Sequence, residues 1–252
     1  MAATVIVFAN QKGGVGKTTS AANLGAYIAD AGKRVLLIDF DPQGNLSSSF
    51  GVNGRKAGIY EAITGKTPIA QTIQDTSVEN LKIITANIDL TGANVELIEE
   101  EGREYFLKRA IESIAGEWDL ILIDCPPSLG LLTLNGLAAA HQVIIPLQCE
   151  YFALEGLSQL LKTIQRVQQA VNPTLTVGGI IFTMYDSRTR LAHEVVQQVT
   201  GYFKEKVFRT IIPRNVRLSE APSHGLPISR YDAECIGAKS YQRLSEEVLS
   251  RV

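Results

Sequence analysis

Long apolar runs are missing from this chain. Its most apolar stretches, such as Val5–Phe8, Val35–Ile38 and Leu120–Ile123, fall far short of the roughly 20 residues that span a bilayer, so no membrane segment is expected. The N-terminal MAATVIVFANQKGG lacks a basic leader and a small-residue cleavage site; it reads as a strand entering a loop, which makes the cytoplasm the expected location. Cysteine is scarce. The three present, Cys125, Cys149 and Cys235, show no CxxC or Cys/His spacing, which excludes a disulfide scaffold and a zinc site and fits reduced thiols. Histidine is equally sparse: His141, His193 and His224 lie in separate segments with no nucleophile or carboxylate at a telling distance, so a hydrolytic triad has no support. Excess charge is also absent. With a net charge of −2, any nucleic-acid binding has to come from a local basic patch.

What is present is a globular composition, 45% apolar and 20% charged over 252 residues, enough for a sizeable core. Runs of β-branched residues recur at Thr4–Ala9, Arg34–Ile38, Leu81–Thr85, Asp119–Ile123, Gln142–Pro146, Val177–Thr183 and Val207–Ile212. They are apolar on both faces, as strands are in a parallel sheet covered by helices on each side. Between them lie helical patterns: Leu154, Leu157, Leu160, Leu161, Ile164, Val167 and Val171 repeat every three or four residues up to Asn172-Pro173, and Gly32 follows a helix beginning near Lys17. The expected architecture is a single α/β domain over residues 1–252, a mostly parallel twisted sheet with helices on both faces. Leu46–Asn80, rich in Gly, Ser and Thr, is expected to form short helices or mobile loops.

The first strand leads into Gln11-Lys12-Gly13-Gly14-Val15-Gly16-Lys17-Thr18-Thr19. In a strand–loop–helix setting this is a phosphate cradle: glycines let backbone N–H groups curl around the oxygens, Lys17 reaches the β/γ phosphates, Thr18 takes Mg²⁺, and the helix N-terminus adds its dipole. Two departures from the usual P-loop pattern stand out, Gln11 in place of the first glycine and the extra Lys12. Carboxylates gather at other strand ends. Asp39 and Asp41 follow Val35–Ile38, ahead of Pro42-Gln43-Gly44-Asn45, and Asp124 follows four apolar residues in the layout whose carboxylate holds Mg²⁺ through its waters. Phe182-Thr183-Met184-Tyr185-Asp186 and Ile211-Ile212-Pro213-Arg214-Asn215 close two further strands, so adenine is expected near their loops. From Lys204 to Arg217 five basic residues face one acid, a window of +4 joined by Arg188 and Arg190.

KGGVGKTT resembles the deviant Walker A motif of the ParA/MinD family of ATPases. The segments from Met184 to Thr189, from Ile212 to Ser223, from Leu131 to Leu137 and from Glu150 to Leu157 resemble the chromosomal, Soj-type members over almost the whole chain. That resemblance implies an ATP-dependent homodimer in which Lys12 reaches the other subunit's phosphates. It further implies that Asp41 orients the attacking water, that Asp39 supports Mg²⁺, and that Pro213 and Asn215 contact the base beside Met184. Arg188 and Arg217 would bind double-stranded DNA without sequence preference, on a face away from the phosphate loop. The implied activity is slow ATP hydrolysis, stimulated by DNA and a ParB-like partner, that partitions DNA on the nucleoid. The same mechanism could carry another cargo, a chemotaxis cluster or microcompartment; a P-loop metabolic ligase is the alternative from another class. Three residues precede the first strand, so no N-terminal helix-turn-helix domain is expected, and the segment from Tyr241 to Val252 does not resemble a MinD-type membrane anchor.

Overall fold

The computed structural model describes residues 3–53 and 57–252. Seven strands, β1 (Thr4–Phe8), β2 (Val35–Asp39), β3 (Ile73–Asp75), β4 (Leu81–Ile84), β5 (Leu120–Asp124), β6 (Gln142–Gln148) and β7 (Thr176–Thr183), form one sheet in the order β3-β4-β2-β5-β1-β6-β7. Every pairing is parallel except β3 with β4. Between and after the strands come the helices α1 (Lys17–Asp30), α2 (Asn45–Ser48), α3 (Ile59–Ile63), α4 (Leu90–Glu96), α5 (Phe106–Glu112), α6 (Leu131–Ala139) and α7 (Ala153–Ala170). The last third adds α8 (Arg190–Phe203), α9 (Val216–Glu220), α10 (Ile228–Tyr231) and α11 (Ile236–Leu249). Among the described residues no helix is long and apolar enough to cross a membrane.

The doubly apolar strands are explained by the two cores. Along β1, Val5 and Val7 enter one cluster with α5, α6 and α7, while Ile6 and Phe8 enter the other with α1 and α11. Both sides of the sheet are thus buried, as the uninterrupted apolar runs require. α1 lies close against its face because it carries small residues there: Ala21, Ala22 and Gly25 are all buried. A Cβ on Gly25 would come within 2.8 Å of the Leu37 side chain. That close approach seats the N-terminus of α1 directly beyond the end of β1.

Two strand expectations are corrected. Val207–Ile212 does not form a strand: it meets the sheet edge through an isolated bridge of Val207 with Ile180 and through the amides of Phe208 and Ile212, which donate to the Ile180 and Phe182 carbonyls at 3.0 and 2.9 Å, and a second bridge pairs Pro213 with Tyr185 just beyond β7. Between these points the amides of Arg209 and Thr210 donate to the Glu247 carboxylate of α11 at 2.8 and 3.1 Å, so the pairing with β7 is not continuous. The second is β3, a three-residue antiparallel edge strand inside Leu46–Asn80, too short to leave a periodic signal. The rest of that stretch holds α2, α3 and a 3₁₀ turn at Ile69–Gln71, with residues 54–56 outside the described residues.

If α1 is seated by its small face, Gly25→Val overpacks the α1–β2 contact and destabilises the fold by about 1–3 kcal/mol. Urea unfolding should show a lowered midpoint at an unchanged slope.

Candidate nucleotide-binding site

In a parallel sheet every strand delivers its following loop to the same end, and ligands bind there. β1 lies between β5 and β6, and its loop, Ala9–Gly16, runs into α1. Gly14 and Gly16 adopt φ of 72° and 85°, the left-handed region that glycine reaches without strain, so the loop can fold back over the helix start. Thr183, at the end of β7, buttresses it by donating to the Val15 carbonyl at 2.8 Å. The α1 N-terminus has no side-chain cap, and its amides remain available for an anion.

The two lysines of the loop diverge. Lys17 is buried, its ammonium donating to the Lys12 carbonyl at 3.1 Å. Burial pulls its pKa down, and the nearby Asp124 and Asp41 oppose that shift. A buried cation of this kind is stabilised by an anion close at hand. Lys12, in contrast, is half exposed and ion-pairs with Glu150 of its own chain, in the loop after β6.

Opposite Lys17, strand register gathers the acids. Asp39 and Asp124 are direct partners across β2 and β5, and neither has exposed surface. Burial raises the Asp39 carboxyl to about 6, and burial together with the charge of Asp39 drives Asp124 well above the usual carboxylate range. Asp124 Oδ2 accepts from the Thr18 hydroxyl at 2.6 Å, whereas its Oδ1 is buried without a hydrogen-bond partner among the described residues. An orphaned oxygen beside a Thr hydroxyl fits a hydrated divalent cation. Asp39 is engaged otherwise: Oδ2 accepts from the Ser47 amide and hydroxyl at 2.7 and 2.6 Å, and Oδ1 faces the Asp41 amide at 3.4 Å. Asp41 accepts from the Gln43 amide at 3.0 Å and is largely buried.

Beside the loop lies a cavity of about 490 Å³. It brings together Met184, Pro213 and Asn215 with Gly16, Thr19 and Tyr241. Met184 holds a φ of 49°, unusual for a residue with a side chain. Asn215 Oδ1 already caps α9 through the Arg217 amide at 2.9 Å, so a contact to a base would use its amide nitrogen or backbone. Tyr241, whose hydroxyl meets Ser20 at 3.1 Å, and Glu150 were not legible as site residues, since nothing in their sequence surroundings points to the loop. Cys125, next to Asp124, is buried and packs where a Cβ on Gly136 would approach its sulfur within 2.6 Å, the position of a small packing residue.

The arginines lie elsewhere than expected. Arg188 follows the C-terminal end of β7, and Arg217 belongs to α9, whose Val216, Leu218 and Ser219 line the cavity. Both therefore sit at the same end of the sheet as the phosphate loop, not on a remote face, because Arg188 follows β7 and Arg217 follows a segment bridged parallel to it. Each is also ion-paired: Arg188 with Asp186 at 2.7 Å, Arg217 with Glu220 at 2.9 Å and Asp232 at 3.4 Å. Lys204, Lys206, Arg209 and Arg214 form no ion pair among the described residues. They are strung along the β7 edge, Lys206 reaching the Val177 carbonyl at 3.4 Å near the opposite end of the strand.

A glycine loop between a parallel strand and a helix, a buried lysine inside it and a hydroxyl–carboxylate pair beside it define a P-loop nucleotide-binding protein. A family model described as an AAA domain, AAA_31, matches residues 3–177. The chromosome-partitioning ATPase Soj of Treponema pallidum is 63% identical over 98% of this chain and 97% of its own length. The chromosome partitioning protein ParA of Myxococcus xanthus is 53% identical over 98% and 88%. Among solved structures, cobyrinic acid a,c-diamide synthase from Mycobacterium smegmatis with bound ADP and magnesium superposes with a TM-score of 0.86, at 41% identity, over 98% of this chain and 94% of that one. The chain belongs to the Soj/ParA family of chromosome-partitioning ATPases.

Because Lys17 is the cation buried in the loop, Lys17→Ala should weaken ATP binding about 10- to 100-fold, the value of a charge-assisted hydrogen bond. Titration with a fluorescent ATP analogue measures it; an unchanged affinity would remove Lys17 from the phosphate site.

Proposed function

We propose that the protein is an ATP-switched DNA-partitioning ATPase: its ATP-bound homodimer binds double-stranded DNA without sequence preference, and hydrolysis, stimulated by a ParB-like partner, releases it. The observation that carries this reading is the divergence of the two lysines. Lys17 serves the phosphates of its own subunit. Lys12 stands half exposed at the rim, held only by a surface ion pair with Glu150 that is worth about 0–1 kcal/mol. A bound triphosphate on a second subunit offers Lys12 a denser anion than Glu150 does, so ATP joins the two copies.

Within the subunit, the Gly13–Gly16 amides, with Gln11, Val15 and Thr19 around them, hold the phosphates, and Met184, Pro213 and Asn215 border the base. Thr18 and Asp124 would hold Mg²⁺, with Asp39 behind them as a buried neighbour. The ion's chemistry there is neutralisation of phosphate charge. Asp41 orders the attacking water; Lys12 and Lys17 stabilise charge that moves onto the leaving oxygens. Arg188 and Arg217 contact DNA phosphates after exchanging their internal carboxylates for them. The protein then works in the cytoplasm on the nucleoid. The Mycobacterium smegmatis similarity favours a metabolic ligase as a second reading. The partitioning relatives are more identical and cover as much of this chain, which supports the first.

Lys12→Ala should bind ATP as the parent does yet stay monomeric with ATP in analytical ultracentrifugation. A variant that still dimerises rejects the trans role of Lys12.

DNA affinity should appear only with ATP, because dimerisation doubles the phosphates engaged, and it should fall steeply with salt. Fluorescence anisotropy with two unrelated duplexes should give equal affinities. In Arg217→Glu the slope of log affinity against log salt should flatten by about one unit per lost contact. An unchanged slope, or a strong preference for one duplex, removes this surface from the reading.

A further inference from the structure

Asp41 sits on a short loop closed by one hydroxyl-bearing residue, Ser47. From Asp39 the chain runs through Asp41, turns at Gly44 (φ 65°), where the Gly44 amide donates to the Asp41 carbonyl at 2.9 Å, and enters α2. Ser47, in α2, is 2% exposed. Its amide and hydroxyl both donate to Asp39 Oδ2, at 2.7 and 2.6 Å, closing a loop of eight residues' separation. The same hydroxyl accepts from the Ala86 amide at 3.2 Å, just beyond β4. One oxygen therefore joins the end of β2, the helix after the Asp41 segment and the end of the neighbouring strand.

We infer that Ser47 is a positioning residue for ATP hydrolysis: through its bonds to Asp39 and Ala86, its hydroxyl fixes the loop that carries Asp41. The inference rests on the role of Asp41 given above. Without the hydroxyl, the Ala86 amide loses its acceptor and Asp39 keeps a single donor from Ser47, while the Ser47 amide still tethers α2. The phosphate loop, Lys17 and Thr18 are untouched. Removal should thus misplace Asp41 without disturbing nucleotide binding, and a misplacement near 1 Å costs on the order of 100-fold in rate. Threonine keeps the oxygen, and Ser47 borders a cavity of about 610 Å³ with Pro42, Gly44, Val52 and Ile88.

The test compares saturating-ATP hydrolysis rates, with DNA present, and affinity for a fluorescent ATP analogue in the full chain. Ser47→Ala should hydrolyse ATP about 10- to 100-fold more slowly with affinity within about twofold of the parent, and Ser47→Thr should recover most of the rate. If Ser47→Ala does not fold, Ser47→Cys, which keeps the branching and weakens both hydrogen bonds, should show the same split. A parental rate in Ser47→Ala, an affinity that falls together with the rate, or a Thr variant no better than Ala overturns the inference. Asp41→Ala run alongside separates the two readings. If it hydrolyses at the parental rate, the role of Asp41 falls and the inference with it; if it is inactive while Ser47→Ala is normal, only the inference falls.

Discussion

Two carboxylates without exposed surface stand side by side at the ends of β2 and β5, and much of the site is arranged around them. Burying like charges at neighbouring strand ends is costly unless cations and donors converge on them. The fold supplies these from several directions: Lys17 and Thr18 from the start of α1, Ser47 from α2, and one orphaned oxygen on Asp124 suited to a hydrated divalent ion. The raised carboxyls and the lowered ammonium are two faces of one crowded, dry site. It is a site that a triphosphate and its metal ion complete.

From that centre the exposed charges acquire meaning. Lys12 is not drawn into the pocket, because Lys17 already occupies it; it rests on Glu150 at the surface. The arginines beyond β7 show the same economy, each held by carboxylates of its own chain. Pairs of this kind at the surface are weak, so they keep a side chain ordered and still let it go to a denser anion.

The supports of the two loops are less conspicuous than the charges. Ser47 and Thr183 each place one hydroxyl on backbone or carboxylate of a segment that has to hold its shape, one beneath the Asp41 loop and one beneath the phosphate loop. Gly25 does the same by lacking a side chain, bringing α1 against Leu37. Ser47 and Thr183 act by bonding directly to Asp39 and to the Val15 carbonyl, and Gly25 by letting α1 approach the sheet.

The α/β class, the parallel sheet, six of its strands and the helices α1 and α7 were legible because doubly buried strands and amphipathic helices impose periods on the sequence that survive without neighbours. The phosphate loop was legible for a related reason: a glycine-rich turn between strand and helix is a local solution to a local demand. Only the tertiary structure decided the rest. Val207–Ile212 has the composition of a strand, yet its pairing with β7 is not continuous, and Glu247 from α11 takes two of its amides. Asp39 and Asp124 are 85 residues apart in the chain and become neighbours through strand register. Glu150 meets Lys12 across 138 residues, and Ser47 meets Ala86 across 39. Hydrogen bonds and ion pairs between distant segments leave no period in a sequence, since either partner alone is an ordinary polar residue, and their pairing exists only once the sheet has brought the strand ends together.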